Sequence, residues 1–149
     1  MNSSSRQPSV SSTEPRPPKA AHAGPLVLPP ELRARVGADV PLETPEQCRA
    51  ALVRLGLCDA AQPAVTLELY GNLRLKAGCR ALPLHAGTVA EALAVLRAAC
   101  PKVRRVLPAD ETLGEHYRFS LNGRGVTVDL TQALGAGDHV IVFSASVGG

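Results

Sequence analysis

Two glycines, Gly148 and Gly149, close the 149-residue sequence, and the carboxylate of Gly149 is its most distinctive reactive group. A carboxylate is a poor electrophile until one of its oxygens becomes a good leaving group. Glycine has no side chain and reaches backbone conformations closed to other residues, so such a tip, preceded by Val147, can thread a narrow channel toward an activating site. Taken alone, the pair reads more readily as a frayed or truncated terminus. The remaining reactive groups are scattered. Cys48, Cys58, Cys79 and Cys100 form no CxxC pair and have no histidine at metal-ligand spacing. Such a set reads as free thiols in a reducing compartment, with no metal site. His22, His85, His116 and His139 stand apart from one another, which implies surface or turn roles, and Asp129 and Asp138 fall in turn sequences. No nucleophile–base pair or carboxylate pair emerges.

Composition narrows the classes further. The net charge of +3 is mild, and lysine and arginine are spread along the chain without a run resembling a nucleic-acid footprint. There is no Trp, and Tyr70, Tyr117, Phe119 and Phe143 are the whole aromatic complement, so the base-stacking surface of a single-strand binder is missing. No stretch approaches the roughly 20 apolar residues of a membrane span. The N-terminus lacks the apolar centre of a secretory signal, and Pro8, Pro15, Pro17 and Pro18 interrupt any amphipathic transit helix. The cytoplasm is the expected location, with no nucleic acid and no membrane as partner.

Three segments follow one another. Residues 1–30 are rich in Ser, Pro and Ala and bury too little apolar surface to offset ordering entropy, so a disordered tail is expected. Residues 31–63 read as a short helical extension of unknown role. Glu31–Val36 is a helix candidate stopped by Gly37. A second begins at Thr44-Pro45-Glu46-Gln47, with Thr44 as N-cap, Pro45 in the first turn and Gln47 closing a capping box. Cys48, Leu52 and Leu55 recur at helical spacing until Gly56. Helices this short need something to pack against.

From residue 64 to 149 the period changes. Val65–Tyr70 alternates strictly, which predicts a strand with Val65, Leu67 and Leu69 inward and Thr66, Glu68 and Tyr70 outward. Gly71-Asn72 and Lys76-Ala77-Gly78 supply turn chemistry before a second strand near Cys79–Leu84. Thr88 and Glu91 form a capping box for a helix from Val89 to about Cys100, ended by Pro101. A further turn of helix is expected near Val103–Leu107. Tyr117–Leu121 alternates again, Asn122-Gly123 marks a turn, and Val126–Val128 reads as a short strand. Leu130–Leu134 looks like a small helical turn, and His139–Phe143 is the last strand. Together these predict an α+β domain, a mixed sheet with one main helix on one face.

The pieces just described, in this order, resemble the MoaD/ThiS family of ubiquitin-like, β-grasp sulfur carriers. The resemblance rests on Gly71-Asn72-Leu73-Arg74 after the first strand, Gly87-Thr88-Val89-Ala90-Glu91-Ala92-Leu93, and Ser120-Leu121-Asn122-Gly123-Arg124. Leu134-Gly135-Ala136-Gly137-Asp138-His139-Val140 and the final Val147-Gly148-Gly149 complete it. It covers about Val65 to Gly149. The long segment before the first strand and the lack of proline in Ser144-Ala145-Ser146-Val147 depart from the family pattern.

The resemblance implies a protein substrate, not an enzyme, or at most a small subunit of a sulfur-transfer complex. A separate ATP-dependent activating enzyme would adenylate the Gly149 carboxylate, and a sulfur donor would displace AMP to leave a thiocarboxylate. A biosynthetic enzyme would accept the sulfur, of molybdopterin type above all, with thiamine, cysteine or a sulfur-containing metabolite as other destinations. No cofactor is bound; ATP is used by the partner. First and last strands are neighbours in a β-grasp sheet, so Tyr70, Ile141 and Phe143 are expected to form an exposed apolar docking patch. The alternatives are a modifier conjugated to lysines and a binding module whose tail is idle.

Overall fold

The computed structural model describes residues 29–107, 116–127 and 129–144. Two helices come first, α1 (Pro30–Val36) and α2 (Pro45–Arg54). Then follow β1 (Ala64–Leu69), α3 (Gly71–Ala77), β2 (Ala81–His85), α4 (Val89–Ala99), a 3-10 helix (Pro101–Arg105), β3 (Tyr117–Leu121), β4 (Arg124–Thr127) and β5 (His139–Ser144). The five strands make one sheet in the order β2-β1-β5-β3-β4. First and last strands run parallel at its centre, and the other neighbours are antiparallel. This is the expected mixed sheet of a β-grasp fold.

Alternation decides which face is dry. Val65, Leu67 and Leu69 of β1, Leu82 and Leu84 of β2, Phe119 of β3 and Val140 and Val142 of β5 are all at most 1% exposed. Against them lies α4, whose Val89, Leu93 and Leu96 share one buried stripe. Half of the expected capping box is present at its N-terminus: the Thr88 hydroxyl accepts from the Glu91 amide at 3.2 Å, but Glu91 accepts from the Gly87 amide, at 2.7 Å, and not from that of Thr88. The Val89 and Ala90 amides, orphans of a first helical turn, donate to the carbonyls of Gln132 and Leu130. Residues 130–134 are therefore a turn and a bridge from Ala133 to Thr88, and not the small helix expected.

The structure departs from expectation again after β1. Where turn chemistry was expected between the first two strands there is a helix, α3, ended by Gly78 at φ 77°. It begins on Gly71 without a side-chain cap, so local signals argue against it. Leu73 and Ala77, one turn apart and fully buried, hold it to the core instead. The second strand consequently starts two residues later than predicted. The short strand at Val126–Val128 is also displaced, to Arg124–Thr127, with Val128 outside the described residues.

The extension is built into the domain. Leu32 of α1 and Cys48 and Leu52 of α2 are fully buried members of the same core as the sheet. The capping box at Thr44 and Gln47 is present, with both hydrogen bonds at 3.1 Å. Helix α2 lies along β2, the sheet's edge strand, where Pro83 has no amide to offer and its carbonyl faces the Cys48 thiol at 3.6 Å. The Arg49 guanidinium spans the first two strands, donating to the carbonyls of Leu84 at 3.1 Å and Val65 at 2.9 Å and to the Thr66 hydroxyl at 3.1 Å. Covering an edge in this way removes a template for unwanted strand pairing.

Burial pushes the Cys48 and Cys79 thiols up to about 12, and raises that of Cys100 as well. The folded thiols thus keep their protons while the unfolded ones, near 9.0, lose them. Stability is fully present below about pH 9 and falls as pH rises toward 12, by about 1 kcal/mol per pH unit per thiol. Denaturant midpoints measured across that window should fall. A thiol-reactive probe near neutral pH should modify the half-buried Cys58 before the other three.

Candidate functional site

The exit of β5 is where the sequence placed the chemistry. Strand β5 lies between β1 and β3, and its last residue, Ser144, pairs with Tyr117 at the start of β3. A strand hydrogen-bonded on both sides is a rigid base for whatever follows it. Val147, Gly148 and Gly149 lie outside the described residues.

The three residues expected to form a docking patch can be traced one by one. Register sets Glu68 beside Ile141 and Leu69 beside Val142, and the Tyr70 amide donates to the Val142 carbonyl at 3.2 Å. Tyr70, Ile141 and Phe143 therefore sit on adjoining strands, on the face away from α4. Tyr70 is 46% exposed, while Ile141 and Phe143 are half-buried. The apolar area offered is smaller than the sequence implied, and Tyr70 dominates it. The extension leaves Tyr70 open, because α2 stops at the β2 edge.

Glu68 departs from its expected surroundings. Alternation points it away from the core, yet it is only 6% exposed. Its Oε2 accepts from the Tyr70 hydroxyl at 2.8 Å, and Oε1 meets His139 Nε2 at 2.6 Å. A buried carboxylate is tolerable only with such partners. His139, read as isolated, is thus the cross-strand mate of Glu68. The signal that reveals it is the parallel register, which sets His139 against Thr66, next on the same face. Together the pair fixes the Tyr70 ring at the head of α3. The hydrogen bond to Glu68, followed by partial burial, raises the Tyr70 phenol above its usual 10.0. In Glu68→Ala the Tyr70 titration is expected to move down toward 10.0 while Tyr117, raised by burial alone, stays put. Ultraviolet titration of the two tyrosines checks this.

The other candidates resolve into structural roles. Asp129 accepts from the Thr131 amide and hydroxyl, which lowers its pKa, and Asp138 accepts from the Gly135 amide at 2.8 Å and from Asn122 at 3.0 Å. His85 contacts the Gln62 carbonyl at 2.9 Å at the mouth of a cleft of about 330 Å³ between the extension and α4. Cys58, Asp59 and Glu91 also line it, but Glu91 is committed to capping α4. Among the described residues no group of three His, Cys, Asp or Glu is placed to hold a metal ion, and no helix is long and apolar enough to cross a membrane.

No protein-family model matches the chain, and no curated protein matches it. Solved structures do. SAMP1 from Haloferax volcanii is 30% identical, with a TM-score of 0.50, over 58% of this chain and 99% of that one. Small archaeal modifier protein 1 from Methanosarcina acetivorans is 26% identical, with a TM-score of 0.50, over 58% of this chain and 97% of that one. The matched share spans almost the whole of each neighbour and just over half of this chain. Over the matched part, the chain belongs to the ubiquitin-like, β-grasp family of the small archaeal modifier proteins.

Proposed function

We propose that the chain is a sulfur carrier whose Gly149 carboxylate is the working group. The carboxylate attacks the α-phosphate of ATP on a separate activating enzyme, releasing pyrophosphate and forming an acyl-adenylate. A sulfur donor then displaces AMP, leaving a thiocarboxylate whose sulfur passes to a biosynthetic enzyme, of molybdopterin type first. The observation that carries this reading is the union of a modifier-type β-grasp sheet with a central last strand leading toward Gly-Gly. Tyr70, with Ile141 and Phe143 beside it, is the proposed docking surface, held by Glu68 and His139. Nothing in the chain need act as acid, base or metal ligand, since the activating partner supplies those groups.

Chain-dependent release of pyrophosphate from ATP, in the presence of an activating enzyme proven on other carriers, tests the first step. Release that does not depend on this chain defeats the proposal.

The neighbours' name, modifier, favours a second reading in which the same activated carboxylate is passed to a lysine amine as an isopeptide. No Lys or Arg follows Arg124, so trypsin would leave residues 125–149 on the modified lysine. Finding that remnant on other proteins selects the modifier; its absence alongside thiocarboxylate formation selects the carrier.

A further inference from the structure

The end of the sheet from which β5 emerges is unusually basic for a chain of net charge +3. Arg74 and Lys76 stand on α3, Arg80 follows it, and Lys102, Arg104 and Arg105 stand on the 3-10 helix; all six are exposed. The two short helices pack against each other, and α3 also touches β5. Arg74 and Arg80 lie close enough to Tyr70 to act on its phenol, and Arg104 acts likewise on Arg97. From Leu69 to Leu107 the one carboxylate is Glu91, at the opposite end of α4. Among the described residues only Lys102 of the six holds an ion pair, with Glu31 at 3.9 Å. Like charges gathered with one ion pair among the described residues repel one another, so the collar carries a cost that an opposite surface relieves. Leu75, 80% exposed, sits amid them.

We infer that this collar is a docking surface for an acidic protein face, the one that receives the tail. The inference rests on the reading of Gly149 as the activated group. Leu75 and Tyr70 decide between protein and nucleic acid. An exposed leucine fits an apolar pocket rimmed by acids, as at protein interfaces, whereas a nucleic-acid groove calls for several stacking aromatics and this collar has one. Charge complementarity of this kind acts mainly on encounter rate and orientation, and so would guide a tail toward its channel.

The test uses the full chain and a decaglutamate peptide, followed by amide shifts at low salt, with a single-stranded oligonucleotide of equal charge in parallel. Peptide shifts should concentrate on α3, Arg80 and the 3-10 helix and should weaken steeply as salt is added. Arg104→Glu/Arg105→Glu and, separately, Arg74→Glu should weaken peptide binding about tenfold, while Arg124→Glu on the far edge should not. Tighter binding of the oligonucleotide at the same residues overturns the assignment to protein. Scattered shifts, or equal loss with Arg124→Glu, overturn the collar itself. With an activating enzyme present, the double variant should raise KM for the chain and leave kcat unchanged. No activation of the unaltered chain would defeat the proposed function, while the peptide arm still reports on the collar alone.

Discussion

A chain lacking Gly149 is expected to fold normally and to lose ATP-dependent activation by more than about a hundredfold. One residue fewer draws the carboxylate back by about 3.3 Å along an extended tail. A displacement of even about 1 Å between reacting groups costs about a hundredfold. Stability should not change, because among the described residues the ladder of β5 runs to Ser144, five positions before the deletion. Circular dichroism and thermal melting would establish the intact fold, and pyrophosphate release would report the chemistry. Gly148→Val should act in the same direction, since a branched side chain adds bulk where the tail must pass and closes backbone conformations that glycine reaches. If the deleted chain supports its pathway unchanged, the fold is a scaffold and the tail idle.

The second large effect concerns the N-terminal extension. Leu52 is fully buried where α2 meets β2, so Leu52→Ala should cost about 2–5 kcal/mol. That is a large part of the roughly 5–15 kcal/mol by which domains of this kind are stable. Cutting the chain before Ala64 does more. It removes Leu32, Cys48 and Leu52 from the core together, withdraws Arg49 from the carbonyls of Val65 and Leu84, and bares the β2 edge. The expected product of residues 64–149 alone is a poorly cooperative, aggregation-prone protein, seen by sedimentation and denaturant titration. A monomeric fragment with the parent's midpoint would mean that the extension packs without contributing.

Much of this architecture can be read before the coordinates. Alternation from Val65 and the capping box at Thr44 are local signals that the structure realises, and of the box at Thr88 it realises the hydroxyl half. Helix α3 defeats such reading, because its Gly-Asn start disfavours a helix and only Leu73 and Ala77 in the core sustain it. The proposed docking surface divides along the same line. That Tyr70, Ile141 and Phe143 adjoin follows from side-chain alternation once the first and last strands are neighbours. That Glu68 is buried between Tyr70 and His139 does not, since it depends on a parallel register joining residues 71 positions apart. The amphipathic face of α2 was legible, but its partner, an edge strand bearing Pro83, was a matter of tertiary packing. A basic collar assembled from three separate stretches is likewise invisible to a search for runs of charge.

Activation of the Gly149 carboxylate by a separate ATP-using enzyme is the claim that everything functional depends on. Intact mass spectrometry of the full chain, before and after incubation with ATP, an activating enzyme and a sulfide source, tests it most directly. The predicted spectrum shows a polypeptide ending at Gly149 that gains the mass difference between sulfur and oxygen. An unchanged mass with an enzyme active on other carriers, or a mature chain extending past Gly149, would contradict it.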